Sequence, residues 1–518
     1  MEFDPIELEI FKNLFQSIAD EMGAALKRTS FSPNIKERRD YSCALFDKDG
    51  KMIIQGKHLP VHLGSMPLSV LKIIESMEFF EGDVAILNDP FQGGTHLPDI
   101  TIVSPVFING INQPVFYTAN RAHHSDVGGI SPGSMPLSRE IFQEGLIIPP
   151  VKIVEKGKIN ESVMKLILSN VRTPEEREGD LQAQFIANKV GEKRIKEIVE
   201  SYGIEKVYDY IGEFRRYSEK IMRKVISEIP DGIYSAVDYM DDDGFSNKRV
   251  KIKVTIKVDG TDVYVDFYGT EKQTEGAINC VFSVTLSAVF YVFRSIVEYP
   301  IPSNYGYMVP IKVNAEEGTV VNARYPSPVV GGNVETSQRI VDVLLKALSR
   351  AIPEKIPAAS SGTMNNLSIG GTESSGKTFA YYETIGGGAG AAMDYDGADG
   401  IHTHMTNTLN TPVEVIENVL PVKVLEYSLR KDSGGKGKFK GGNGIVRKLQ
   451  FLTDSTVSML SERRKTRPYG LMGGKEGKCG ENIFISGGKQ KKLNSKFILN
   501  FKKGDILIIR TPGGGGWG

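Results

Sequence analysis

Cysteine, histidine and surplus charge are all scarce in this chain, and each scarcity removes a class of function. The three cysteines, Cys43, Cys280 and Cys479, stand far apart; an odd, scattered set excludes a disulfide framework and fits a reducing compartment. Lys+Arg 63 balance Asp+Glu 63 to a formal charge of zero, whereas a protein that grips nucleic acid or an anionic membrane carries a basic excess. Long apolar runs are missing too. The most apolar stretch, Cys280 to Phe293, covers about 14 residues and is interrupted by Ser283, Thr285 and Ser287, short of the ~20 a membrane span needs. The start, Met1-Glu2-Phe3-Asp4-Pro5-Ile6-Glu7, is acidic where a secretory signal is basic. These absences predict a cytoplasmic protein with no nucleic-acid and no membrane partner. Glycine is what the chain has in excess: 55 of 518 residues, about 11% against an average near 7%.

The length predicts several domains. Asp4-Pro5-Ile6-Glu7 supplies an N-cap, a proline at the first helical position and a glutamate placed to close a capping box. Phe11, Leu14, Phe15, Ile18, Met22 and Ala25 then recur at helical spacing. Thr173-Pro174-Glu175-Glu176 repeats that signature for a helix running to about Tyr202 and ending at Gly203, with more helix over 206–229 and another over 336–351. Short β-branched or aromatic runs at 83–87, 100–103 and 115–118 read as strands, and 250–256 and 262–267 form a hairpin about Asp259-Gly260. Beyond about residue 410 the chain reads as short strands with Gly-rich turns. The expected fold is mixed α+β and multi-domain: an N-terminal α/β domain over 1–228, an α+β middle domain over 229–360, and a β-rich C-terminal domain over 361–518.

Three of the seven histidines lie between positions 96 and 124. A loop after a predicted strand reads Asn88-Asp89-Pro90-Phe91-Gln92-Gly93-Gly94-Thr95-His96-Leu97-Pro98-Asp99, and the next strand pair ends in His123-His124-Ser125-Asp126-Val127-Gly128-Gly129. His96 and Asp99 can bind one ion from a single loop, and a histidine of the following hairpin can complete a three-ligand face. Two imidazoles and one carboxylate leave open positions suited to Fe, Mn or Zn catalysis. The competing reading is hydrogen-bonding loop histidines with no metal. His402 and His404 alternate on an extended segment and form a second candidate pair, while His58 and His62 are placed to line the same cleft or to serve as ordinary loop residues.

Gly371-Thr372-Glu373-Ser374-Ser375-Gly376-Lys377-Thr378 fits the phosphate-loop pattern letter for letter, yet that motif needs a helix beginning at the lysine. Phe379 to Ile385 instead reads as a strand, which places the pattern on a hairpin tip. Gly386, Gly387 and Gly388 could present backbone N–H groups to an anion or simply allow tight packing. Each cysteine reads as structural.

Taken together, Pro60-Val61-His62-Leu63-Gly64-Ser65-Met66, the 88–99 loop, Asn120 to Gly129, Ser361 to Asn366, Tyr382 to Gly388, His404 to Thr408 with Asn410-Thr411-Pro412, and the tail Thr511 to Gly518 resemble the hydantoinase B/5-oxoprolinase family. That family includes N-methylhydantoinase B-type subunits and is related to the large subunit of acetone carboxylase. The tail carries Trp517 where tyrosine is commoner. In acetone carboxylase a His-x-x-Asp pair and a downstream histidine hold manganese, and those positions map onto His96, Asp99 and His123. His124 departs from that pattern and is similar to the hydantoinase and oxoprolinase branch.

The resemblance implies ATP-dependent hydrolysis of a cyclic amide such as 5-oxoproline, hydantoin or N-methylhydantoin. It also implies a divalent metal (Mn, Zn or Fe) and an A-type partner subunit that binds ATP with Mg in a hetero-oligomer. Asp89, His124 and Asp126 are then expected as supporting catalytic groups, and Gly386 to Gly388 as an oxyanion or phosphate cradle. A ketone carboxylase of the acetone carboxylase kind is the alternative.

Overall fold

A computed structural model describes residues 4–373 and 375–518. Met1 to Phe3 of the acidic start and Ser374 of the phosphate-loop pattern lie outside the described residues. Asp4 caps the first helix as its sequence predicts, accepting the Ile6 N–H at 2.8 Å, and the helix runs Pro5–Thr29. The capping box does not close. The Glu7 carboxylate instead accepts from Lys206 Nζ at 2.8 Å and from the Tyr210 hydroxyl at 2.5 Å, because the helix Ile204–Ser227 packs close enough to take it. The helix Pro174–Tyr202 stops at Gly203, whose φ of 81° an L-residue seldom adopts.

Strands β1 (Tyr41–Asp47), β2 (Met52–Gln55), β3 (Val84–Leu87), β4 (Asp99–Val106), β5 (Phe116–His123), β6 (Val151–Glu155) and β7 (Lys158–Ile159) form one antiparallel sheet in the order β2-β1-β5-β4-β3-β6-β7. Strand alternation splits its side chains between two cores. Cys43, Leu45, Phe116 and Ala122 face the helices Pro5–Thr29 and Pro174–Tyr202, with Phe11, Phe15, Ile18 and Met22. Ala44, Phe46, Ala85, Val103 and Ala119 face the opposite way. Both faces are covered, so β1, β4 and β5 are buried along their whole length.

Strands β8 (Gly232–Met240), β9 (Val250–Asp259), β10 (Asp262–Asp266) and β11 (Ile311–Asn314) form a second sheet. The turn between β9 and β10 is as tight as Asp259-Gly260 predicts, with Gly260 at φ 61°. Strand β11 pairs parallel to β10, and the connection between them includes the helix Phe282–Ser295. That helix carries the apolar run of residues 280–293. No helix among the described residues is long and apolar enough to cross a membrane.

The C-terminal third supplies β12 (Asn366–Thr372), β13 (Thr378–Glu383), β14 (Val422–Arg430), β15 (Gly444–Phe451), β16 (Ser455–Leu460), β17 (Glu481–Ser486), β18 (Lys489–Leu493), β19 (Lys496–Phe501) and β20 (Ile506–Arg510). They form two sheets, β13-β12-β16-β19 and β14-β15-β20-β17-β18, which share a core around Leu367, Ile369, Leu449, Phe451 and Phe501. Here backbone packs on backbone. A Cβ on Gly514 would sit 1.9 Å from Ala389 O, and one on Gly388 1.9 Å from Gly442 O. Much of the glycine excess thus serves the close backbone packing of the tail on the segments around Ala389, Ser433 and Tyr469.

The fold is mixed α+β, as the sequence predicts, and the described residues form four sheets. Its sheets change near the expected boundaries at 228 and 360, but one apolar cluster runs unbroken from Ala44 through Val284, Leu344 and Met364 to Leu460.

Candidate metal centre

Three local features aim His96, Asp99 and His123 at one another. Asn88 braces the loop by donating to Leu97 O (2.8 Å) and Leu146 O (2.9 Å) and by accepting the Ile148 N–H (2.7 Å). The Asp99 N–H bonds back to His96 O at 3.0 Å, a tight turn that brings both side chains to one side. The β4–β5 register then pairs Asp99 directly with His123, so the two project from the same face of the sheet. His96 Nε2 and His123 Nδ1 lie 3.2 Å apart, and they are 3.2 and 3.3 Å from Asp99 Oδ1. All three residues are buried.

The surrounding contacts prepare these atoms as electron-pair donors. Asp99 Oδ2 is occupied by the Thr95 hydroxyl at 2.6 Å, His62 Nε2 at 3.4 Å and Asn333 Nδ2 at 3.4 Å, which leaves Oδ1 to the cluster. Burial alone would raise the Asp99 carboxyl, but His96, His123 and His62 outweigh it and hold it well below the usual carboxylate range. Burial lowers His123 against the opposing pull of Asp99 and Asp40, a shift toward the neutral imidazole that ligates. His96 Nδ1 lies 3.3 Å from Val330 O, and a proton shared there frees Nε2. Ligand bonds of about 2.1 Å set neighbouring ligand atoms about 3.0–3.4 Å apart around a tetrahedral or octahedral ion. The three-sided set matches that spacing, so the residues fit a divalent ion.

Strand alternation separates the paired histidines. His123 faces the cluster and stacks on Tyr382, with ring centroids 4.3 Å apart. His124 turns to the other side, onto Gln184 Oε1 at 2.9 Å, and burial followed by the Arg177 charge lowers it to about 4. Asp89 caps a short turn, accepting from Phe91 N and Gln92 Nε2 at 3.0 Å each. Asp126 accepts the Gly128, Gly133 and Arg172 N–H groups and pairs with the Arg172 guanidinium at 2.9 Å. The structure therefore brings the three metal candidates together and sets Asp89, His124 and Asp126 to brace the loops around them.

Of the remaining histidines, His62 reaches Asp99 and also contacts the Ser42 hydroxyl at 2.8 Å. His58 sits under Gly23 and Gly56 and accepts the Cys43 N–H at 3.2 Å. His402 and His404 stay apart from the cluster. Burial pushes His402 down to about 3, and His404 contacts the Tyr291 hydroxyl at 3.4 Å. The Gly387 and Gly388 N–H groups bond to Ile401 O and Pro512 O at 2.9 and 3.0 Å, while Gly386 packs against Gly400 and Ile401. Cys43 and Cys280 are buried free thiols, and burial pushes Cys280 up to about 12.

Thr372 pairs with Thr378 across β12 and β13, so Lys377 lies on a hairpin tip. The groove beside it is lined by Glu175, Glu176 and Glu373 together with Arg172 and Lys377, with no helix N-terminus at the lysine. The cavity at the histidines is lined instead by Asp40, Leu59, Val61, His62, Asp99, His123, Asn333, Val334, Met364, Tyr382, Thr384 and Thr406. No sequence signal marked Asp40 or Asn333, and Tyr382 stood only at the head of a family-like stretch without a role of its own, because only the fold brings them here. Burial raises the Asp40 carboxyl, and Arg38 lies 3.7 Å away as its counter-charge. Arg38 itself is held by the Thr384 hydroxyl at 2.6 Å and lies over the Tyr382 ring.

A family model described as hydantoinase B/oxoprolinase matches residues 4–518. Over its whole length the chain is 41% identical to a 5-oxoprolinase of Dictyostelium discoideum, of which it spans 40%. It is 33% identical, again over its whole length, to a putative D-/L-hydantoinase B-type subunit of a Pseudomonas species, of which it spans 90%. Among solved structures it matches the ATP-dependent caprolactamase of Pseudomonas jessenii with a TM-score of 0.93 at 29% identity, covering 100% of this chain and 92% of that one. Acetone carboxylase shares the fold, with a TM-score of 0.93 at 18% identity over 100% of this chain and 76% of that one.

Proposed function

The chain belongs to the hydantoinase B/oxoprolinase family, and from that premise we propose that it is the B-type subunit of an ATP-dependent enzyme that opens a cyclic amide such as 5-oxoproline, hydantoin or N-methylhydantoin. The observation that carries this reading is the buried His96–Asp99–His123 triangle, open on one side to a cavity. Relatives named as a 5-oxoprolinase, a hydantoinase B-type subunit and a caprolactamase point to the substrate class.

An unstrained amide resists water. An A-type partner, holding ATP and Mg, phosphorylates the carbonyl oxygen and so activates the carbon. Water adds there, the ring C–N bond breaks as the nitrogen takes a proton, and the acyl phosphate left behind is hydrolysed to carboxylate and phosphate. A divalent ion (Mn, Zn or Fe) held by His96 Nε2, Asp99 Oδ1 and His123 Nδ1 supplies Lewis acidity toward a carbonyl or water oxygen. This chain's own residues do the rest. Asp40, with Arg38 beside it, takes the proton of the attacking water. Tyr382 holds the His123 ring by stacking, and Leu59, Val61 and Met364 exclude bulk water. Asp89, His124 and Asp126 fix the two loops that carry the ligands. The nucleotide belongs to the partner because Lys377 stands on a hairpin rather than at a helix start.

The test purifies the chain with its A-type partner, measures bound metal by mass spectrometry and follows ATP-dependent ring opening. His96→Ala or Asp99→Asn is expected to lower bound metal at least about tenfold and ring opening by more than about 100-fold, since ligand loss exceeds the 10–100-fold typical of outer-shell changes. Full ring opening by metal-free His96→Ala protein would sink the proposal. Bicarbonate-dependent consumption of a ketone, in place of ring opening, would replace it with a carboxylase.

A further inference from the structure

Asn333 stands on a π-helical turn, Gly332–Thr336, a geometry that recurs at functional sites. Its backbone is pinned. The Ser337 hydroxyl donates to Asn333 O at 2.6 Å, the Gly332 N–H to Ala277 O at 3.0 Å, and a Cβ on Gly332 would meet Asn279 O at 1.8 Å. The side chain is 4% exposed and lines the histidine cavity. Charge sets its amide orientation: Nδ2 lies 3.4 Å from Asp99 Oδ2, where an oxygen would face a carboxylate. Oδ1 is thereby turned away from Asp99, and it is buried with no hydrogen-bond partner. A buried amide carbonyl left unpaired costs about 1–3 kcal/mol, and such groups in folded proteins call for a specific explanation.

We propose that Asn333 Oδ1 accepts the hydrogen bond of the substrate's ring N–H and so selects secondary over tertiary cyclic amides, an inference that rests on the cyclic-amide reading above. An unsubstituted lactam presents one donor, its N–H, and one acceptor, its carbonyl. The carbonyl is the reacting group, so the N–H is the handle left for recognition. Leu59, Val61 and Met364 carry no side-chain acceptor, and the polar groups beside them are engaged. Asp40 serves as the base, Asp99 belongs to the cluster, the Tyr382 hydroxyl donates to Asn366, and the Thr384 and Thr406 hydroxyls bond with Arg38 and Thr408, which leaves Asn333 Oδ1 as the acceptor without a partner. A site built to bond a substrate N–H discriminates strongly against an analogue without it, because its own buried group is then left unpaired.

The complex of the full chain with its ATP-binding partner is assayed on 5-oxoproline, hydantoin and caprolactam, and on counterparts with each ring N–H replaced in turn by N–CH3. The wild type is expected to prefer an N–H substrate by about 100-fold in kcat/KM. Asn333→Leu keeps the side-chain volume, so steric exclusion of the methyl survives; it removes the Oδ1 acceptor and also the Nδ2 contact to Asp99, so bound metal is measured in the same preparations. The preference should fall below about tenfold, through KM of the N–H substrate, when wild type and variant are compared at equal metal occupancy. Because the ratio is internal to each preparation, partial unfolding or metal loss moves both arms together. Equal opening of both amide types by the wild type overturns the inference, as does a wild-type ratio in Asn333→Leu. If the wild-type complex opens no cyclic amide on the panel with ATP, the functional reading falls first and takes this one with it, a result visible before any variant is made.

Discussion

Glu335, on the same π turn as Asn333, is fully buried; Oε1 accepts the Met364 N–H at 2.9 Å and Asn366 Nδ2 at 2.7 Å, while Oε2 has no partner. Burial, reinforced by Glu462, pushes its carboxyl up to about 8. The unfolded chain releases this proton near 4.5, and the folded chain keeps it until about pH 8. Across that window the unfolded state binds fewer protons, so stability is fully present below the unfolded value and is lost as pH rises, by at most about 1.4 kcal/mol per unit. Glu335→Gln keeps the acceptor and removes the titration. Urea unfolding at about pH 5.5 and about pH 7.5 should show the wild type losing about 2–3 kcal/mol more than the variant; equal losses would contradict the assignment. Glu144, which burial pushes up to about 7, titrates in both proteins and cancels. The residue scale is also where the sequence was least legible. Spacing alone brought out His96, Asp99 and a histidine at 123–124, because one turn and one hairpin join them. Asp40, Asn333 and Tyr382 reach the same cavity from three separate parts of the chain, and no local pattern records that.

Elements carried more of their own information. The helices Pro5–Thr29 and Pro174–Tyr202 begin at the proline as expected, and the second ends at Gly203 as expected, since capping and apolar spacing are local properties. The capping box at Glu7 failed because its partners, Lys206 and Tyr210, come from a helix about 200 residues away. Judging the phosphate-loop pattern by the residues after it worked for the same local reason: Phe379 to Glu383 are strand formers, and β13 is a strand. A hairpin tip offers no row of helix N-terminal amides, so Lys377→Ala should leave ATP turnover of the assembled complex within about twofold of wild type, where a true phosphate-loop lysine would be indispensable. A tenfold loss would return the nucleotide to this chain.

At the scale of the whole molecule, zero net charge suits a chain whose charges pair inside it: Arg339, Asp342, Glu462 and Arg463 form a buried network between the middle and C-terminal sheets. The expected division at residues 228 and 360 is harder to reconcile with the packing. The core beneath the helix Pro5–Thr29 is complete within the first 228 residues, but the opposite face of the same sheet is not. The Gly64 and Ser65 N–H groups both donate to the Ser287 hydroxyl, Ser283 donates to Gly94 O, and the Val61 N–H reaches Met405 O. His96 itself leans on Val330 O. A fragment of residues 1–228 would therefore keep one core and bare the other face, with the metal ligands on its edge. We expect it to bind a hydrophobic dye, to melt without a single cooperative transition, and to hold less than about a tenth of the metal bound by the full chain, in line with sites that form only on folding. Supplying residues 229–518 as a separate chain should restore both properties, because the contacts that complete the site are non-covalent. A fragment that melts cooperatively and binds metal at full occupancy by itself would show that the first sheet is an autonomous domain and that the shared core adds nothing to the centre.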